Sequence, residues 1–174
     1  MPFLMSGASL AVFETGLNVL SALLDKAEAF AAAKKIDPAV LLRTRLAPDM
    51  FDFTRQVQTV TDQARRSSAR LAGVQPPSVE DTETTIGELK ERIAKTIGYL
   101  KTLDVKAIDA SADREIKFPL GATASGLMKG ADYLNHFVLP NYYFHLTSAY
   151  AILRHCGIEI GKRDFIGSIP LQQV

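Results

Sequence analysis

Residues 140–157 have the sequence Pro-Asn-Tyr-Tyr-Phe-His-Leu-Thr-Ser-Ala-Tyr-Ala-Ile-Leu-Arg-His-Cys-Gly. Proline is favoured in the first turn of a helix, and glycine is favoured just past the end, where the backbone becomes left-handed. The stretch therefore predicts a helix that begins no later than Pro140 and ends at Gly157. Aromatic rings crowd its start around His145, and the apolar stripe that follows predicts that His145 lies against a core.

Three earlier segments have apolar residues at steps of three and four, the period of an amphipathic helix. They predict long helices over about residues 9–35, 48–71 and 85–103. Gly73 closes the second of these helices, and Thr85 with Glu88 fits a capping box at the start of the third. Asp37 and Pro38 predict a short helix over 38–44. Four long helices, each with one apolar stripe, predict an all-α four-helix bundle.

The segments between the long helices predict three other features. Residues 74–83 are polar and contain two prolines, which indicates an extended connector. Residues 115–120 alternate polar and apolar, and a return at 126–128 predicts a small β-hairpin insert before the last helix, with Pro119 confining it to an edge. We expect residues 158–174 to fold back over the bundle.

Composition narrows the class of protein. The length of 174 residues predicts a single domain, 1–174, and 47% apolar residues suffice for a core. The net charge of +1, without clustered basic residues, predicts neither nucleic acid nor a membrane surface as a partner. The single cysteine, Cys156, suits a reducing compartment. We predict neither a secretory signal nor a stretch long and apolar enough to cross a bilayer, and we therefore expect a cytoplasmic protein.

His145 is the main candidate for a binding residue. Asn141 lies four residues earlier and therefore on the same helix face. Small side chains at Ser148 and Ala149 leave room beside it, as a ligand pocket requires. With the uncharged Gln56 from the second long helix, Asn141 and His145 would form a pocket for a small polar ligand without a metal. The alternative is a buried polar network that fixes the helix register.

A second strip of the last helix contains Tyr143 and Arg154. Arg154 is a candidate clamp for an anion such as the carboxylate of a small acidic ligand. Its structural alternative is stabilisation of the helix C-terminus and packing against tyrosine. Cys156 is a poor nucleophile candidate because the C-terminal end of a helix raises the pKa of a thiol.

Six runs of sequence resemble the bacterial family called domain of unknown function nineteen ninety-three. They are 45–50, 56–58 with Asp62, 70–73, 140–145, 149–155 and 161–165. That family is similar to the DinB/YfiT-like metalloenzyme superfamily, whose members include thiol-dependent transferases. The resemblance implies a bundle in up-down-down-up order, in which a connector crosses the bundle lengthwise. Eleven extended residues reach about 35 Å and a twenty-residue helix about 30 Å, so the connector is long enough.

The resemblance also implies where a divalent metal would bind. The superfamily uses one histidine on the second helix and two on the last helix, spaced by four. His145 matches the later of these two positions, whereas Asn141 stands at the earlier one and Gln56 or Gln58 in the second helix. Two of the three ligands are therefore absent, and the triad is incomplete.

These observations lead to three hypotheses. The first is a small-ligand-binding bundle with its site around His145, assembled as a homodimer. The second is a metal-dependent hydrolase or thiol transferase with an atypical site at His145. The third is a structural dimer without a ligand. The sequence leaves open whether the protein is an enzyme.

Overall fold

The computed structural model describes residues 4–121 and 123–169. The structure is mostly helical with one small antiparallel sheet, as predicted. In chain order its elements are α1 (Met5–Lys34), α2 (Pro38–Leu42), α3 (Phe53–Ala72), α4 (Ile86–Leu100), α5 (Val105–Asp109), β1 (Glu115–Leu120), β2 (Ala124–Lys129), α6 (Gly130–Asp132), a π-helical segment (Tyr133–Val138), α7 (Leu139–His155) and α8 (Lys162–Ile166).

Side-chain caps set several helix boundaries. The Asp37 carboxylate accepts the Ala39 amide at the start of α2, and the capping box of Thr85 and Glu88 is formed at the start of α4. The expected start of α3 near Pro48 was wrong, because the Asp52 carboxylate accepts the Arg55 amide and caps the helix there. The α4 helix ends at Leu100 instead of residue 103, and α1 begins at Met5 instead of residue 9.

The apolar stripes of the long helices meet in one core, where α3 packs against α7, α4 and α1. The Tyr142 hydroxyl donates to the Phe13 carbonyl oxygen at 2.9 Å, and the two rings meet edge to face at 5.0 Å. Gly16 permits this contact between α1 and α7, since a Cβ there would lie 2.5 Å from the Tyr142 oxygen. Burial raises the pKa of the Tyr142 phenol, which stays a hydrogen-bond donor.

One sequence expectation about α1 needs correction. An 18-residue window of this helix has mean hydropathy 1.4 and few charges, so by length and composition α1 is able to cross a membrane. However, 50% of that window is buried inside the fold, with Leu17, Leu20 and Leu24 fully covered. We interpret α1 as a core helix, because the central helix of a globular protein has the same composition.

The predicted hairpin is present and packs beside the last helical run. Strands β1 and β2 are antiparallel, with Glu115 opposite Lys129. Phe118 on the buried face of β1 contacts Tyr133 and Phe137 of the π-helical segment, at centroid distances of 4.8 and 4.5 Å. The last helical run begins with α6 at Gly130, well before Pro140, and continues through the π-helical segment into α7.

Backbone hydrogen bonds close the base of this hairpin. The Gly130 amide donates to the Arg114 carbonyl oxygen at 2.9 Å, and the Ala131 amide donates to that of Ala112 at 2.9 Å. A Cβ at Gly130 would collide with the Ser111 carbonyl oxygen, so this position requires glycine. The chain thus leaves and rejoins the bundle at one point.

Two buried arginines hold the connector between α3 and α4. Arg65 donates to the Pro77 carbonyl oxygen, and Arg92 donates to the Glu80 carbonyl oxygen at 2.9 Å and to the Glu83 carboxylate at 3.0 Å. We call the group of Arg65, Arg92, Asp62, Asp81 and Glu83 the connector latch. Later connector residues contact earlier residues of α3, so the connector runs back along that helix.

The segment after α7 folds back onto α1. Helix α8 packs on α1, and Lys26 pairs with Asp164 at 2.7 Å. The prediction that the tail folds back is confirmed for residues 158–169. Its remaining part, 170–174, lies outside the described residues.

Candidate functional site

A hydrogen bond joins the two predicted site residues Gln56 and His145. The His145 Nδ1 atom lies 2.8 Å from Gln56 Oε1. Gln56 is fully buried, and its Nε2 donates to the Phe51 carbonyl oxygen at 3.3 Å, which orients the amide. The amide oxygen therefore accepts from His145, so Nδ1 carries the proton and Nε2 of the neutral ring is a hydrogen-bond acceptor.

Aromatic rings enclose the half-buried imidazole. Phe51 stacks against it, with centroids 6.1 Å apart and an angle of 18°, and Phe144 approaches edge-on at 5.2 Å. The guanidinium of Arg55 lies 5.6 Å from the centroid of Phe51. Burial, and secondarily the charge of Arg55, lowers the pKa of His145, so the ring is neutral at pH 7.

A cleft of about 300 Å³ begins at Phe51 and Arg55 and extends along α3 beneath the hairpin. We call it the α3–hairpin cleft. One side of the cleft is formed by α3 residues that share a helix face. The opposite side is formed by the end of β1 and the hairpin turn, and the π-helical segment adds Phe137. The lining residues are Phe51, Arg55, Thr59, Asp62, Gln63, Arg66, Arg70, Pro119, Gly121 and Phe137. His145 does not itself line the cleft, but it stacks on Phe51, which lines one end of it.

The other predicted site residues lie elsewhere. Asn141 donates from Nδ2 to the Phe137 carbonyl oxygen at 2.6 Å, and so braces the junction between the π-helical segment and α7. Tyr143 is exposed and lines an apolar groove between α1, α7 and α8. Arg154 is exposed and donates to the Ile158 carbonyl oxygen beyond the end of α7, at 3.5 Å. The structure thus joins Gln56 with His145 and places Tyr143 and Arg154 apart from them.

Residues 5–166 match the family described as Domain of unknown function (DUF1993). The chain belongs to this family. A crystal structure of a DinB family member protein from Shewanella denitrificans is 39% identical to the DUF1993 chain and has a TM-score of 0.89. That match covers 97% of this chain and 94% of the other. A search of curated proteins found no match. The resemblance inferred from the six sequence runs is confirmed.

The residues around His145 do not fit a divalent metal ion. The hydrogen bond from Nδ1 to Gln56 is itself compatible with a metal at Nε2, so the misfit lies in the missing further ligands and in the neighbouring charge. Arg55 adds positive charge beside the ring, and such a charge opposes the binding of a cation. Across residues 4–121 and 123–169, no three His, Cys, Asp or Glu side chains are placed to hold a metal together.

The sequence interpretation missed much of the cleft. Phe51 precedes the cap of α3, and Arg55, Arg66 and Arg70 share one face of that helix. The helical spacing of the arginines was a usable signal. The spacing does not predict where the hairpin packs. The hairpin makes this helix face one wall of a cleft.

Proposed function

We propose that this DUF1993 protein binds a small polar ligand in the α3–hairpin cleft, beside the pair of His145 and Gln56. The observation that carries the proposal is the state of the imidazole. A buried amide engages Nδ1 and lowered basicity keeps the ring neutral, so Nε2 remains an acceptor for a ligand hydroxyl or amide. The cleft volume of about 300 Å³ is at the lower end of small-molecule sites.

We also infer that the four long helices, α1, α3, α4 and α7, run in up-down-down-up order. Two helices are antiparallel when the contacting residue numbers rise on one as they fall on the other. Gln56 with His145 and Ser67 with Tyr133 support this for α3 and the run of the π-helical segment and α7. Asp25 with Lys90 and Glu14 with Lys101 support it for α1 and α4. The connector latch supports parallel α3 and α4, because the connector returns along α3 before α4 starts.

Binding is measured by thermal-shift screening of small polar and acidic molecules, followed by NMR of the histidine ring protons. We expect hits to shift the His145 resonances and to lose affinity in His145→Asn, which keeps a polar group near the Nδ1 position. His136→Asn is the matched control, because His136 is exposed and lies on the π-helical segment. Hits that leave the His145 resonances unmoved would reject the proposed site.

We also propose a homodimer, on the evidence of one apolar surface, and a cytoplasmic location, on the evidence of the single free Cys156. The groove at Tyr143 contains large exposed side chains, of which Tyr143 is 44% and Ile166 43% accessible. Covering such a patch is a common role of a subunit interface. Light scattering at micromolar concentration tests this point, and a monomer mass would reject it. The structural dimer without a ligand remains the competing function if the screen finds no binder.

A further inference from the structure

The three arginines that line the α3–hairpin cleft differ in how their charges are balanced. Arg55 pairs with Asp81, and Arg66 pairs with Asp62 at 2.8 Å. Arg70 donates to the neutral Tyr133 hydroxyl at 3.1 Å, and within residues 4–121 and 123–169 it pairs with no carboxylate. The half-buried guanidinium of Arg70 therefore brings a positive charge to the cleft that the described residues leave unmatched.

A buried tyrosine fixes the position of this guanidinium. Tyr133 is fully buried, and its hydroxyl lies 3.4 Å from Ser67 Oγ while accepting from Arg70 Nη1. The π-helical segment supplies Tyr133, together with Phe137 on the cleft wall. A guanidinium has five N–H donors in a planar fork, so the bond to Tyr133 orients Arg70 and leaves donors for an anion.

The neighbouring arginine on α3 already has a carboxylate partner. Arg66 and Arg70 are four residues apart on the same helix face, and both line the cleft. Asp62 balances the charge of Arg66, so among the described residues the unmatched positive charge on this face is that of Arg70. The arginine fork of Arg70 matches the two oxygens of a carboxylate.

The rest of this end of the cleft is largely apolar or neutral. Phe137 and Pro119 offer ring and aliphatic surface, and Gln63 offers an uncharged amide. We propose that the cleft takes a small organic acid, whose carboxylate pairs with Arg70 and whose apolar body lies against Phe137 and Pro119. This inference goes beyond the proposed function, because Arg70 lies fourteen residues along α3 from Gln56, or about 21 Å at 1.5 Å per residue. The acid therefore occupies the end of the cleft that lies away from His145.

The test compares benzoate with its neutral isostere benzamide by calorimetry and NMR titration. We expect wild-type protein to bind benzoate about tenfold more tightly than benzamide, since a charge-assisted bidentate pair is stronger than a neutral contact. Arg70→Gln should remove this preference. Arg163→Gln, which neutralises an exposed arginine on α8, should leave it unchanged.

Two further variants keep the test valid if Arg70→Gln folds poorly. Arg70→Lys keeps the charge without the fork, so we expect it to retain only part of the preference for benzoate. Tyr133→Phe removes the hydroxyl that orients the guanidinium, so benzoate should weaken several-fold while benzamide does not. Equal weakening of both ligands in Tyr133→Phe would count against Arg70 as the carboxylate anchor.

The outcomes separate this inference from the proposed function. Equal binding of benzoate and benzamide with shifted His145 resonances overturns the inference and leaves the proposed function standing. A benzoate preference that depends on Arg70, with unmoved His145 resonances, supports the anchor as a site separate from the one beside His145. Inorganic phosphate that binds as tightly as benzoate, through Arg70, overturns the apolar part of the assignment. Absence of benzoate binding at 10 mM (roughly the upper limit for a small fragment site) overturns the inference as a whole.

Discussion

The connector latch and the α3–hairpin cleft both contain arginines of α3, yet they differ in how fully their polar groups are used. In the latch, Arg92 has a partner for every nitrogen: Nε donates to Thr61 Oγ1 at 2.7 Å, Nη1 to Glu83 and Nη2 to Asp62. Beside the cleft, His145 has one hydrogen-bonded partner among the described residues, and in the cleft the Arg70 side chain likewise has one. Within this described part of the chain, Arg92 of the latch is saturated, whereas His145 retains a free acceptor and Arg70 retains free donors.

This difference separates a group that fixes the fold from a group that is able to bind. A buried charge without a partner is costly, so a saturated network holds its chain segments in one arrangement. Burial works to raise the pKa of Asp81, but the hydrogen bond and charge of Arg55, with the charge of Arg92, hold that pKa below its usual value. The cleft residues are only half-buried, so they do not need a protein partner for every polar atom. Water or a ligand forms the remaining hydrogen bonds.

The largest effect is expected from breaking the latch. Arg92→Met removes the ion-pair partner of Glu83 and one of the three arginines around Asp62, at a position where the Arg92 side chain is only 4% exposed. We expect the free energy of unfolding to fall by about 3–5 kcal/mol, measured by urea denaturation. Lys95→Met on the same helix is the control, because Lys95 is 75% accessible and should change stability by about 0.5 kcal/mol at most. A loss in Arg92→Met no larger than in the control would mean that the latch does not hold the connector.

A smaller effect is expected from removing the partner of His145. Gln56→Met leaves the Nδ1–H of a half-buried ring and the Phe51 carbonyl oxygen without their partner. We expect a loss of about 1–2 kcal/mol by the same measurement. Gln63→Met, on the same helix and facing the cleft, should cost less. A loss as large as that of Arg92→Met would place the His145 pair in the same structural class as the latch.

The smallest effect concerns pH. The pKa of folded His145 lies below that of the unfolded chain, near 6.5, so the unfolded state takes up the proton first as the pH falls. The contribution of His145 is therefore fully present above about pH 6.5 and is lost as the pH drops toward the folded pKa. His145→Asn should flatten the pH dependence of stability in this window, whereas His136→Asn should not. Identical profiles for wild type and His145→Asn would contradict the burial of a neutral imidazole.

Much of the fold was predictable from local sequence, because amphipathic stripes, caps and turn residues act over a few positions. The helix boundaries at Gly73 and Thr85 and the strand 115–120 follow from such signals. The start of α3 was harder, because Pro48 and Asp52 both offer a helix start and only the hydrogen bond of Asp52 decides between them.

The sites were less predictable, because they depend on contacts between distant segments. The contact between Gln56 and His145 was expected from two polar residues on facing helices. The partners of Arg92 come from α3 and from the connector, up to 31 residues away in sequence, and no local pattern specifies them. The cleft depends on where the hairpin lies, and the π-helical geometry that aims Tyr133 at Arg70 has no marker in the sequence.

The closed base of the hairpin has a consequence for how this family can diversify. The amides of Gly130 and Ala131 return the chain to the carbonyls of Arg114 and Ala112, so the 115–129 segment begins and ends at one anchored point. Insertions at the turn between β1 and β2 leave the register of the helices unchanged, provided that Phe118 keeps its contacts with Tyr133 and Phe137. The turn on the far side of the cleft is thus able to vary, and new ligand preferences are open to evolution, or to loop grafting, without rebuilding the helices that hold His145 and Arg70.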